Sequence, residues 1–154
     1  MKTKYDSTPD TVAHIKRVRE LLYAFIANLE RRAVWHDISK LEEEEKPFFD
    51  KLTPKLNALT YGSEEYRACL QKLEPALKHH YKVSSHHPEH YANGIYGMSL
   101  LDLLEMLADW KAAGERHASG SLERSLMVNQ TRFAIDDRLQ RILEQTAAEM
   151  GWLP

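Results

Sequence analysis

Apolar residues recur at three- and four-residue steps along nearly the whole chain, without the two-residue alternation of a strand. The first run, Ile15, Val18, Leu21, Leu22, Phe25, Ile26 and Leu29, traces one broad helical face that should be buried. Thr8 before Pro9 is its start signal, with the threonine as N-cap and the proline at the first helical position. A short helix is predicted over Val34 to Lys40, with Ala33, Val34 and Trp35 buried. From Glu42 to Leu59 the pattern is again helical, but Pro47 and Pro54 should split it into two pieces. Gly62 and Ser63 end one element and cap the next, whose Leu70, Leu73 and Leu77 lead towards two histidine doublets, with Pro75 as a kink. Pro88 disfavours helical geometry at His87, so this helix should stop between Ser84 and His87. Asn93, Gly94 and Gly97 mark an irregular loop. A helix from about Ser99 to Gly114 and one or two more from about Ser121 to Met150 complete the chain. The expected fold is all-α: a single-domain helical bundle over residues 1–154 with about six to eight helices.

Composition narrows the function classes. The net charge is −2, and the basic clusters Lys16-Arg17-Arg19 and Arg31-Arg32 are interspersed with acids, so long duplex nucleic acid is not an expected partner. No apolar run is long enough to cross a bilayer, and no apolar signal core follows Met1-Lys2-Thr3-Lys4. The single Cys69 forms no internal disulfide and reads as a small packing residue, which fits a cytoplasmic location. Glu42 to Glu45 read as a solvated first helical turn. Self-association as a homo-oligomer is compatible with the sequence.

Eight histidines are many for 154 residues, and six of them stand in an ordered series with two aspartates. His14, His36-Asp37, His79-His80, His86-His87 and Asp109 come from at least four segments, and imidazole with carboxylate is a donor set for Zn, Mn, Fe or Ni. His14 shares a helical face with Val18, Leu21 and Phe25 and should point inward, with Asp10 one turn earlier able to accept from its ring. Two doublets seven residues apart are economically explained as ligands, with one member of each sufficient. His90 and His117 look like bystanders. Asp102, Glu105 and Asp109 form an acidic stripe on an otherwise apolar helix, which suggests that they face a polar cavity. Asp102 has a second explanation, because Ser99-Leu100-Leu101-Asp102 matches a capping box. Lys40, three residues after Asp37, either pairs with it or holds a substrate phosphate. Tyr61, Tyr81, Tyr91, Tyr96 and Trp110 could stack on a base, although packing is the commoner role of such residues.

These residues resemble the HD-domain superfamily of metal-dependent phosphohydrolases. His36-Asp37-Ile38-Ser39-Lys40 is similar to that family's HD-x-x-K stretch, His86-His87-Pro88-Glu89 with Asn93-Gly94 to the HHE-and-glycine segment of its cyclic-dinucleotide subgroup, and Leu107-Ala108-Asp109 to its final-aspartate helix. The chain as a whole resembles an uncharacterised HD-like family found in bacteria and phages. The motif-bearing part is about residues 10–117, and the helices over about 121–150 add no motif. The resemblance implies a core site of His14, His36, Asp37 and Asp109, with Asp37 bridging to a second metal held by His79 or His80 and His86 or His87. Gly94-Ile95-Tyr96-Gly97 stands where the cyclic-dinucleotide subgroup has tyrosine-proline, and the doublets lie closer together, which turns the expectation to another small phosphorylated compound. The expected function is therefore metal-dependent phosphohydrolysis of such a compound, a nucleotide for example. One or two divalent ions (Mn, Ni, Zn or Fe) would serve, with Asp37 and Lys40 as catalytic residues and Lys40, Arg31 and Arg32 binding the phosphate. The alternatives are a di-iron oxygenase on the same fold and a non-catalytic binding protein stabilised by metal.

Overall fold

Caps and breakers placed most of the helices, and each departure from expectation has a physical cause. The computed structural model describes residues 5–59, 63–116 and 120–153. Among them there are seven α-helices, three short 3-10 turns and no strand, so the chain is all-α. It divides into two compact units between His36 and Asp37.

The first unit contains one helix of 28 residues, α1 (Thr8–Trp35). Its N-cap is Ser7, one residue before the expected Thr8, and the Thr8 amide is taken by Asp6 Oδ1 at 3.0 Å. None of its residues is buried, so the expected burial of its apolar face, of His14 on that face, and of Val34 and Trp35 is not found. A single helix cannot cover its own apolar stripe; that takes a second element laid against it. Asp10 accepts from the Tyr5 hydroxyl.

The second unit, residues 37–154, holds α2 (Lys46–Ala58), α3 (Glu64–Lys72), α4 (Glu74–Val83), α5 (Leu100–Glu115), α6 (Leu122–Arg132) and α7 (Asp137–Glu149). The 3-10 turns lie at Ile38–Leu41, Pro88–His90 and Gly94–Gly97. The short helix expected over Val34 to Lys40 does not form. The backbone turns left-handed at Asp37 (φ 57°), a conformation that ends a right-handed helix and that aspartate tolerates better than most residues. The split expected in residues 42–59 is also absent, and α2 runs through Pro54. Pro47 sits in the first turn, where no amide proton is needed. The bond forfeited at Pro54 is outweighed by packing of Leu52 with Cys69 and Leu73, flanked by Phe48, Phe49 and Leu56.

Ser63 caps α3 by accepting from the Tyr66 amide at 3.1 Å, whereas Gly62 lies outside the described residues. The expected Pro75 kink is a full break: α3 stops at Lys72 and α4 restarts at Glu74, with Pro75 in its first turn. α4 then ends at Val83, as Pro88 and the polar stretch before it predict. Cys69 is buried. A second apolar cluster joins Ile95, Met106, Leu107, Leu122, Leu126, Ile135, Leu143 and Ala147 from the 94–97 turn, α5, α6, α7 and the link between the last two. No helix among the described residues is long and apolar enough to cross a membrane.

Candidate metal centre

Three segments of the second unit converge on one buried polar cluster. Asp37 precedes the 38–41 turn, His80 sits in the last turn of α4, and His86 and His87 follow in the loop after it. The polar sequence 84–87 ends α4 where it does, and the bend after Val83 carries the second doublet back towards the first. The His80 and His87 ring centroids are 4.8 Å apart, those of His86 and His87 4.2 Å, and those of His80 and His86 5.8 Å. Asp37 Oδ1 lies 3.2 Å from His80 Nε2 and 3.5 Å from His86 Nε2. His87 Nε2 is 3.0 Å from His80 Nε2. One atom from each of Asp37, His80, His86 and His87 falls within 4.8 Å of the others.

The other Asp37 oxygen, Oδ2, accepts from Lys40 Nζ at 2.5 Å, so one carboxylate faces the imidazoles and the cation at once. Burial alone would raise the Asp37 carboxyl, but the neighbouring His80 and His86 rings, with the charge and hydrogen bond of Lys40, outweigh it. The group is held well below the ordinary carboxylate range. His87 is shifted down as well, which for a base favours the neutral form: burial, then the neighbouring His86 and His80, push it down to about 3. It is therefore neutral at ordinary pH, the form in which imidazole binds metal. Three nitrogens and a carboxylate oxygen, crowded together and largely shielded from water, form a donor set that fits Zn, Mn, Fe or Ni.

Acids stand behind the cluster. Glu45, wholly buried before α2, accepts from His79 Nδ1 at 2.8 Å, and its second oxygen lies 3.2 Å from His80 Nδ1. Ser39 Oγ and Ser84 Oγ lie 3.0 and 3.3 Å from that same nitrogen. Glu105 Oε1 of α5 lies 3.1 Å from His86 Nδ1. One turn further along α5, Asp109 brings a carboxylate oxygen within 4.8 Å of one from Asp37. One turn earlier, Asp102 forms the expected capping box with Ser99 and also accepts from Ser85 Oγ and Tyr91 Oη, both at 2.8 Å. The acidic stripe of α5 thus faces the histidine loop along its length, as its apolar flanks suggested.

The second unit therefore unites Asp37, His80, His86 and His87, with Lys40 bonded to Asp37 and Asp109 close by. Within the doublets the outcome differs from one ligand apiece: both His86 and His87 face the cluster, whereas His79 turns to Glu45. His14 and His36 belong to the first unit, His14 exposed on α1 and His36 its half-buried C-cap. Arg31 and Arg32 also lie on α1, with Arg31 reaching Asn28 at 3.4 Å. His90 approaches the Tyr81 carbonyl at 3.0 Å, and His117 and Tyr61 lie outside the described residues. Trp110 stacks on Phe133 and Tyr96 donates to the Ala134 carbonyl, as packing residues do, while the Tyr81 ring sits 4.9 Å from that of His87.

Glu45 corrects the expectation of a solvated glutamate run, since it is 0% exposed. Its signal was present: Glu45, Phe49, Leu52 and Leu56 recur at four- and three-residue steps, which puts the acid on the packed face of α2.

No curated protein and no solved structure matches the chain. A family model matches residues 3–150, and the chain accordingly belongs to the family described as "Family of unknown function (DUF5662)".

Proposed function

We propose that this protein is a metal-dependent phosphohydrolase acting on a small phosphorylated compound of the nucleotide class. The observation that carries the reading is the convergence of Asp37, His80, His86 and His87 on one point, with Lys40 at its edge. Those four residues would hold the ion, with Asp109 next to Asp37. His36 and His14 stay in the proposal on the strength of the sequence motif alone. A divalent ion bound there supplies Lewis acidity towards a phosphoryl oxygen and a water of lowered pKa.

The chain's own groups do the rest. Asp37 is ionised across the working pH range and can accept a hydrogen bond from an attacking water, which would align it. Lys40 keeps a cation where a phosphoryl group would bring negative charge. The neutral His87 adds a donor without adding charge repulsion. The half-buried Tyr81 beside His87 offers a ring edge for a substrate base. A lone buried cysteine is in keeping with a cytoplasmic location, which forms part of the proposal.

The test is elemental analysis of protein purified without chelator, followed by a phosphoester and nucleotide screen, on wild type, Asp37→Ala and His80→Ala. Wild type should carry Mn, Ni, Zn or Fe and hydrolyse a phosphoester, and both variants should lose metal and activity together. Protein that neither contains nor takes up any of these metals would overturn the reading.

A further inference from the structure

We propose that Glu45 and Glu105 are positioning residues, each fixing one histidine so that its Nε2 lone pair points at the metal. This deepens, and rests on, the metal-centre reading above. Glu45 comes from the edge of α2 and Glu105 from the middle of α5, yet each meets the far ring nitrogen of a cluster histidine.

A carboxylate can only accept, so a proton shared with it must sit on the ring nitrogen that faces it. Glu45 Oε2 lies 3.2 Å from His80 Nδ1, out of line for a full hydrogen bond, which leaves a buried acceptor still open to that ring. The serines around the same nitrogen cannot choose the tautomer, because a hydroxyl donates or accepts with equal ease. With the proton on Nδ1, the lone pair is on Nε2, the atom that faces Asp37 Oδ1 and His87 Nε2. At His86 the same logic holds: Nδ1 is 3.1 Å from Glu105 and Nε2 is 3.5 Å from Asp37.

Glu45 carries a second ring as well. Its Oε1 accepts from His79, so the first doublet divides its labour: His80 faces the cluster and His79 steadies the carboxylate behind it. A buried carboxylate without such a donor would be costly. Acids behind metal-binding imidazoles raise ligand basicity and hold the ring angle, and losing one typically costs about 10- to 100-fold in metal affinity.

The experiment is histidine nitrogen NMR and competitive zinc titration on the full chain. In the zinc-loaded wild type, His80 and His86 should show a protonated Nδ1 and a zinc-ligated Nε2. Glu45→Gln and Glu105→Gln should keep their helix content and lose about 10- to 100-fold in zinc affinity. His80→Ala and His86→Ala are the references. If these alanine variants lose zinc while both glutamine variants bind as wild type does, or if either ring ligates through Nδ1, the positioning assignment falls and the metal reading stands. If the alanine variants bind zinc as wild type does, the metal reading itself falls and the assignment with it. Should Glu45→Gln fail to fold, the wild-type spectrum and Glu105→Gln still decide.

Discussion

Asp102 never approaches the imidazoles in the contacts described above, yet its removal should disturb both the fold and the histidine cluster. The carboxylate is 2% exposed and accepts from the Ser99 amide (2.8 Å), Ser99 Oγ (2.6 Å), Ser85 Oγ (2.8 Å) and Tyr91 Oη (2.8 Å). Ser99 is exposed and regains water when the acid is lost, so its share is that of a capping interaction, about 1 kcal/mol. Ser85 and Tyr91 are half-buried and each donate to a charged acceptor, a bond worth about 1.5 kcal/mol or more. Asp102→Ala should therefore cost about 4 kcal/mol, or about 8–16 °C in Tm for a chain of this size. Asp102→Asn keeps the shape and loses the charge, and should cost about 1–2 kcal/mol.

The acid dependence has a definite sign. Burial would raise the Asp102 carboxyl, but the Ser99 side chain and amide, Ser85 and Tyr91 outweigh it and hold it below its ordinary 3.8. Its stabilisation is complete above that ordinary value and is lost as pH falls through it towards the depressed folded value. The gap between wild type and Asp102→Asn should accordingly narrow below about pH 4. Urea unfolding of the three proteins from pH 7 to pH 3 measures this directly. Ser85 adjoins His86, so if the cluster binds zinc, Asp102→Ala should also weaken that binding about 10-fold. An alanine variant within about 0.5 kcal/mol of wild type, at every pH, would refute the reasoning.

Other consequences follow from single residues. α6 and α7 end alike: the residue two beyond the last helical one turns left-handed, Ala134 (φ 50°) after α6 and Gly151 (φ 69°) after α7. In both, the next amide bonds back across the last turn, Ile135 to Gln130 and Trp152 to Ala147, each at 2.9 Å. Ala134→Gly should thus stabilise the protein by about 1 kcal/mol, read as a Tm rise of about 2–4 °C; an unchanged or lower Tm would count against the strain at Ala134. A Cβ at Gly97 would come 2.7 Å from Tyr91 Cβ, so Gly97→Ala should shift the loop that holds Tyr91 on Asp102 and lower the urea midpoint. Lys40→Met should leave helix content intact, raise the Asp37 pKa and, if the protein hydrolyses phosphoesters, cut kcat/KM about 100-fold, as steady-state assays would show.

How far the sequence could be read depended on the range of the interactions involved. Helix identity was legible because periodicity, caps and prolines act within a turn or two: Ser63, the Ser99–Asp102 box and the stop after Val83 all formed as local chemistry predicts. Asp37, His80, His86 and His87 were legible as members of a larger donor inventory, because donor chemistry is a property of residue type, but their grouping as four was not. One feature was written in the pattern and read too weakly, the α2 stripe that begins at Glu45, whereas the run of α2 through Pro54 rests on packing against Cys69 and Leu73. Which member of a doublet turns inward was undecidable from sequence, since adjacent residues differ by only about 100° around a helix and the choice is made by a partner elsewhere. Here that partner is Glu45, more than thirty residues away, which takes His79 by one oxygen and stands behind His80 with the other. The sequence alone thus determined the helices and the donor inventory. Tertiary structure decided the left-handed turn at Asp37, the acids behind the imidazoles and the aim of each ring, because those depend on groups that meet only when the chain is folded.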